Sequence, residues 1–261
     1  MIVLDSPTLF DGMVAFLLVS IRLGAMFLAG PLFSAAVVTL PQRIALTMGV
    51  TIALFGTVDV PKIDFISMQG FILVAQEILV GSLIGFFMQF AFSAVTFAGE
   101  QMSSAMGLSY AAMVDPQTGA SSPVVAQFLS VILILIFLTL NGHHLLIREV
   151  GTSYKLVPMG EFKLTAKIFL KTFEAGSLMF IMALLISLPV VVAMMLVNIV
   201  TGVVTRVAPQ MNIFSVGFPI TILAGLALMM VMMPTIGHLM ADLINQIGLR
   251  MHDLILSVQE G

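Results

Sequence analysis

Few side chains in this sequence could do chemistry, and their spacing argues against most of it. The four histidines are His143, His144, His238 and His252. His143 and His144 are adjacent, so on a helix they point in different directions and cannot share one metal without a loop. His238 and His252 have no ligand pattern beside them, and no metal site is assigned. The simpler reading puts the His143–His144 pair at a helix C-terminus, where a partial negative charge suits it. With no cysteine in the chain, disulfides and thiolate metal centres are excluded. No nucleophile elbow, HExxH helix or glycine-rich phosphate loop is present, so the sequence reads as non-enzymatic and without a cofactor. Three charges stand inside apolar runs: Arg22, Glu77 and Glu100. Ionisable groups in lipid are costly and mark function by default; the alternative is structural pairing with each other or with a partner chain.

The elements that must hold these groups are overwhelmingly apolar. Charged residues make up 9% of the sequence, against roughly 25% in a soluble domain. Mean hydropathy is +1.16. Net charge is −3 and no basic stripe exists, which argues against a nucleic-acid partner. Such a chain folds in lipid, among equally apolar partners, or both. A crossing helix needs about 20 apolar residues, and 261 residues hold roughly six of them. Tryptophan is absent and tyrosine is limited to Tyr110 and Tyr154, so the interfacial aromatic belt is weak. Met1 to Asp11 carries acids and no base, unlike the start of a cleaved signal peptide, and the first apolar stretch is expected to stay in the protein.

Along the chain, the first run covers 12–38, interrupted by Arg22 and Pro31. A second follows Arg43 to Val58. The third, 65–99, is too long for one straight crossing and predicts a kink or a re-entrant turn. Within it Gly81 and Gly85 form a small-xxx-small pair that lets another backbone approach. Residues 100–122 (EQMSSAMGLSYAAMVDPQTGASS) change character and read as loop or broken helix. Ser122 and Pro123 then start a helix that stops at Asn141-Gly142. Arg148, Lys155, Lys163, Lys167 and Lys171 are half of the ten basic residues. The last three fall four apart and predict an amphipathic helix at a membrane surface, on a cytoplasmic loop. Two uncharged runs, 175–205 and 213–241, form a predicted hairpin, with Pro189, Pro219 and Pro234 bending or breaking it. The tail from Asp242 is mildly amphipathic.

Methionine is abundant, with 21 residues. Most fill gaps between packed helices. Met102, Met106 and Met113 differ, because they lie in the glycine- and serine-rich interruption. Flexible apolar side chains there would make a deformable seal, and irregular backbone at membrane depth is tolerated only in protein or along a cavity. The segment is the best place for a gate.

Four motifs now occur in order: GFFMQFAFSAVTFAGE at 85–100, MGLSYAAMVDP at 106–116, PVVAQFL with FLTLNGHHLLI across 123–147, and APQMNIFSVGFPITI at 208–222. Together they resemble the FliR family of flagellar biosynthesis proteins, export-gate components of bacterial type III secretion, over about 22–242. The resemblance implies an all-α fold of kinked helical hairpins in a single family domain. About 1–174 would be FliP-like, with the gate loop at 100–122, and about 175–261 would be a FliQ-like hairpin and tail. It implies a subunit that forms a channel with FliP and FliQ, associates with FlhB, and sits in the inner membrane at the flagellar basal body. Unfolded flagellar proteins would thread that channel, and a loop of this subunit would help close it at rest. Carried over by position, the closing loop is Met106, Gly107, Leu108, Ser109, Tyr110, Ala111, Ala112, Met113, Val114, Asp115 and Pro116, and Met102 joins the plug from the methionine reading above; the family often has Phe at the position of Tyr110. Pro209, Gln210, Met211 and Asn212 would form the hairpin tip, on the FlhB and FliQ side. A virulence secretion counterpart and a secondary transporter are the alternatives, but no inverted repeat or cluster of intramembrane acids supports the transporter. Because the assembled family complex is lifted out of lipid, orientation stays open.

Overall fold

The computed structural model describes residues 6–31, 38–61, 67–108, 124–207 and 217–259. Helices account for nearly all of them, and no strand occurs among the described residues. In chain order they are α1 (Ser6–Ala29), α2 (Leu40–Leu54, followed by a 3-10 turn at Phe55–Thr57), α3 (Met68–Ala105), α4 (Val124–Thr139), α5 (Gly142–Leu156), α6 (Ala166–Val207) and α7 (Phe218–Gln259). The all-α class expected from the sequence is the class observed. Among the described residues four helices are long and apolar enough to cross a membrane, or five spans if α4 and α5 are counted together as one. The chain is an integral membrane protein.

Local signals account for several helix ends. At the start of α2 the Gln42 side chain accepts a hydrogen bond from the Thr39 amide at 2.9 Å, and Pro41 occupies the first turn, where its missing N–H costs nothing. Asn141 adopts a left-handed backbone, φ +57°, between the end of α4 and the start of α5. Asparagine tolerates that conformation better than most residues.

Four expectations change. Residues 68–99 contain no re-entrant turn: α3 runs unbroken for 38 residues, about 57 Å at 1.5 Å per residue. The interruption expected at 100–122 begins later, since Glu100 to Ala105 complete α3; a run of helix formers ahead of Gly107 extends the hydrogen-bond ladder. Lys163, Lys167 and Lys171 do not share a helix, because α6 starts at Ala166 and Lys163 precedes it outside any helix. The proline effects also differ by position. Pro219 is the second residue of α7 and starts the helix rather than breaking it, whereas Pro189 and Pro234 lie inside unbroken helices.

The chain forms two compact units. One comprises Met1–Phe90, Asn141–Gly176 and Gln246–Gly261; the other comprises Ala91–Leu140 and Ser177–Asn245. In the first, α1 buries Leu18, Val19, Leu23, Met26 and Phe27, one face of a helix. The last turns of α7 contribute Ile247, Met251, Leu254 and Ile255 to the interior of the same unit. In the second, α4 buries Val125, Ala126, Leu129, Leu133 and Phe137, and α6 buries Met182, Ile186, Val190 and Met194. Close backbone approach recurs where glycine allows it. A Cβ on Gly81 would collide with the Arg22 carbonyl oxygen, and one on Gly85 would stand 2.6 Å from the Met26 carbonyl oxygen. The α1 backbone therefore lies directly against the Gly81–Gly85 face of α3, the packing that small residues permit where lipid supplies no hydrophobic drive.

Candidate functional site

Two places gather the residues singled out in the sequence. The first is a buried charge centre in the first unit. Arg22 on α1 and Glu77 on α3 are both essentially inaccessible, and they form a two-pronged ion pair: Nε to Oε2 at 2.7 Å and Nη2 to Oε1 at 2.8 Å. The remaining donors are used. Nη1 donates to Ser153 Oγ at 3.0 Å, and both terminal nitrogens donate to the Val157 carbonyl at 3.2 Å. The guanidinium lies over the Tyr154 ring, 4.3 Å from its centroid, and the Tyr154 hydroxyl donates to the Val19 carbonyl at 2.8 Å. An isolated charge at this depth would cost several kcal/mol. Here guanidinium geometry matches a carboxylate and spends its other donors on the end of α5. The two charges pair with each other, so they leave no group free to relay a proton or bind an ion. Glu100 takes no part: it is exposed on α3 within the second unit.

The second place is the end of α3, where Met102, Met106, Gly107 and Leu108 stand. Met102 and Met106 are fully buried. Met102 is helical, not on irregular backbone as expected. The helix terminates at Gly107, φ +82°, a conformation glycine adopts at no steric cost. The Met106 amide donates to Met102 O at 3.0 Å and the Gly107 amide to Ser104 O at 3.1 Å. Two carbonyls of this last turn would otherwise be orphans. Asn198 Nδ2 of α6 donates to the Ala105 carbonyl at 3.0 Å, and the single proton of Thr221 Oγ1 of α7 is shared between the Met106 carbonyl at 3.2 Å and the Phe218 carbonyl of its own helix at 3.0 Å. The Met106 side chain occupies the space a side chain at Gly225 would fill: a Cβ there would stand 2.5 Å from Met106 Cγ. Phe218 closes the site beside Gly107, 3.3 Å from where its Cβ would be. Phe218, Thr221 and Gly225 are three and four apart, one face of α7.

Leu108 is half-buried directly after this turn. Tyr110, Met113, Val114, Asp115 and Pro116 lie outside the described residues, as do Pro209, Gln210, Met211 and Asn212. The histidine pair is not at a helix C-terminus: His143 and His144 are in the first turn of α5, their rings 4.1 Å apart. Asn141 ends α4 and opens the next helix at once, which moves the pair to the opposite kind of helix end. Nδ1 of His252 donates to Glu149 Oε2 at 3.0 Å, a partnership with no signal at a separation of 103 residues. Among the described residues no three His, Asp or Glu side chains converge on a point that could hold a metal. Sequence reasoning also missed Ser153, Asn198, Thr221 and Gly225. Gly225 alone carried a signal, as a glycine in an otherwise continuous apolar helix.

Among the described residues the structure defines an apolar helical membrane protein that holds a buried Arg22–Glu77 pair and a capped end of α3. The comparisons narrow this. Residues 13–247 match the family described as Bacterial export proteins, family 1, and the chain belongs to that family. It is 36% identical over 232 residues to the Flagellar biosynthetic protein FliR of Escherichia coli (strain K12), covering 86% of this chain and 88% of that one. It is 36% identical over 229 residues to the protein of the same name from Bacillus subtilis (strain 168), covering 85% and 87%. The FliR of Aquifex aeolicus (strain VF5) is 26% identical over 243 residues, covering 92% and 93%. The FliR resemblance read from the four motifs is therefore borne out along most of the chain.

Proposed function

We propose that this chain is a non-enzymatic subunit of the flagellar type III export gate. With FliP and FliQ it forms the channel through which unfolded flagellar proteins pass, at the basal body in the inner membrane. The observation that carries this reading is the match of residues 13–247 to an export family, on a chain whose long helices are apolar on exposed as well as buried faces. Leu184, Leu188, Met195, Leu196 and Ile199 of α6 are all more than half exposed or nearly so outside its own core, which suits burial by lipid and by neighbouring apolar subunits. The family likeness supports a closing role for residues 106–116, with Leu108, Tyr110 and Met113 as deformable apolar contacts beside Val114, Asp115 and Pro116. Met102 and Met106 root that loop. Pro209 to Asn212 would face FlhB and FliQ.

Purification in mild detergent from the native host tests the assignment. FliP and FliQ should travel with the chain in a fixed ratio, and deletion should abolish swimming. A chain recovered without either protein, or a deletion strain that swims normally, would remove the flagellar reading. For the closing loop, Met113→Ala should raise potassium leak while the complex still assembles; an equally tight complex would put the seal elsewhere.

A further inference from the structure

Exposed polar side chains are scarce on the long helices of the second unit, and on two of them they fall together. On α3 they are Glu100, Gln101 and Ser104, all exposed and all on one side of the helix at 3.6 residues per turn. On α6 the corresponding face holds Asn198, Thr201 and Gly202; the first and last are exposed and Thr201 is half-buried. The bond from Asn198 Nδ2 to the Ala105 carbonyl joins the two faces within that unit. The second amide proton and the carbonyl oxygen of Asn198 are not engaged among the described residues. A Cβ on Gly202 would meet nothing within 4 Å, so the space before this face is open. The far side of α6 at the same level is apolar: Leu196, Val200, Val203 and Val207 are each more than half exposed. A helix that was simply emerging into water would be polar all round, whereas α6 meets two different media at one depth. Lipid and apolar subunits suit the valine side. The carboxylate and amides of the other side would be costly there and call for water or a hydrogen-bonding partner.

We propose that Glu100, Gln101, Ser104, Asn198, Thr201 and Gly202 form a wetted strip on the wall of the conduit and exchange hydrogen bonds with the main chain of the polypeptide in transit. The inference rests on the export-channel reading and names the surface the cargo meets. The chemistry suits an unfolded chain of any sequence. Each non-proline residue of such a chain offers one N–H and one C=O. Carboxamides and hydroxyls serve both, and the Glu100 carboxylate accepts from amides. Gly202 leaves the passing backbone room to approach. Every such contact replaces a bond to water at small net gain, so the strip does not hold the cargo in place. An entirely apolar wall would instead strip water from the peptide groups and return nothing.

The chain has no cysteine, so single substitutions report without background. Gly202→Cys and Val203→Cys lie at one depth on different sides of α6, and Gln101→Cys samples α3. Each is made in the full chain in its native host. The membranes are opened by freezing and thawing, so that a permanently charged methanethiosulfonate reaches both faces. Gln101→Cys and Gly202→Cys should react, and Val203→Cys should be roughly tenfold slower, because apolar surroundings keep a thiol protonated. The reaction is then repeated with an exported flagellar protein arrested in transit by a folded domain too wide to pass. The arrested chain should slow both strip thiols by a similar factor and leave Val203→Cys unchanged. Equal rates at 202 and 203, or no reaction at either strip position, overturn the proposal. Reaction that the arrested chain does not slow also overturns it, since the strip is then wet but off the route. Ser104→Cys stands in for either strip variant that fails to assemble. An unreactive strip in a complex that retains FliP and FliQ, in cells that swim, removes this proposal alone. Absence of FliP and FliQ from the unsubstituted chain removes the export-channel reading and this proposal with it.

Discussion

The Arg22 centre and the Met106 site solve the same problem, a polar backbone or charge away from water, with opposite materials. At the first, two full charges meet at 2.7 and 2.8 Å and every remaining donor of the guanidinium is spent. At the second, neutral side chains supply single hydrogen bonds to carbonyls, and the space is filled by a flexible thioether. Charge geometry tolerates almost no displacement, since losing one partner strands the other in a medium that cannot solvate it. A neutral site gives way by small steps. The lesson is that one apolar chain can carry a rigid pin and a compliant socket, and the two differ both in ionisation and in burial, since Arg22 and Glu77 are inaccessible whereas Asn198 and the Ala105 carbonyl it serves are exposed.

Breaking the pin should have the largest effect. Arg22→Ala leaves Glu77 buried without its cation and should cost about 3–5 kcal/mol, read as a lower unfolding temperature of the detergent-purified protein. Replacing both partners together, Arg22→Met with Glu77→Leu, should recover most of that loss. If the double variant is no better than the single, the pair contributes by something other than mutual neutralisation.

The glycines sharpen the contrast. At Gly81 an added methyl meets the Arg22 backbone, whereas at Gly225 it meets the side chain of Met106. Gly81→Ala should therefore cost about 3 kcal/mol and Gly225→Ala about 1 kcal/mol, the two ends of the usual range for overpacking, measured in the same unfolding assay. Equal losses would deny that the Met106 site is the softer one. Tyr154→Phe removes only the hydroxyl bond to Val19 and should cost about 1 kcal/mol. His252→Ala belongs beside it at about 1 kcal/mol: the ring is half-exposed, but the Glu149 side chain that loses its hydrogen bond is buried.

Much of the helical inventory was legible from hydropathy alone, because long uncharged runs leave no other solution in lipid. Where it failed, short-range signals were over-read. The serines and glycine near 100–107 suggested irregular chain, yet serine is tolerated in a helix and only Gly107 needs a special backbone. The lysine spacing of four suggested a helix through Lys163, but spacing among three residues does not nucleate one. The proline at 219 marked a start, not a break, since its missing N–H falls among the first-turn donors that have no partner within the helix. Of the candidate site, Arg22, Glu77, Met102, Met106 and Gly107 stood out as anomalies in the sequence. Their partners did not, because Ser153, Tyr154, Asn198 and Thr221 are ordinary residues whose role depends on contacts 93 to 135 positions away.

By itself the sequence determined that this protein is helical, bound to a membrane environment, free of cysteine chemistry, and a member of an export family. Those properties are set by composition and by ordered motifs, which need no knowledge of contacts. Only the tertiary structure decided that Arg22 and Glu77 neutralise each other, and that the end of α3 is held by two other helices. A charge or a carbonyl has no intrinsic meaning in an apolar chain until its partner is known, and partners are chosen by packing.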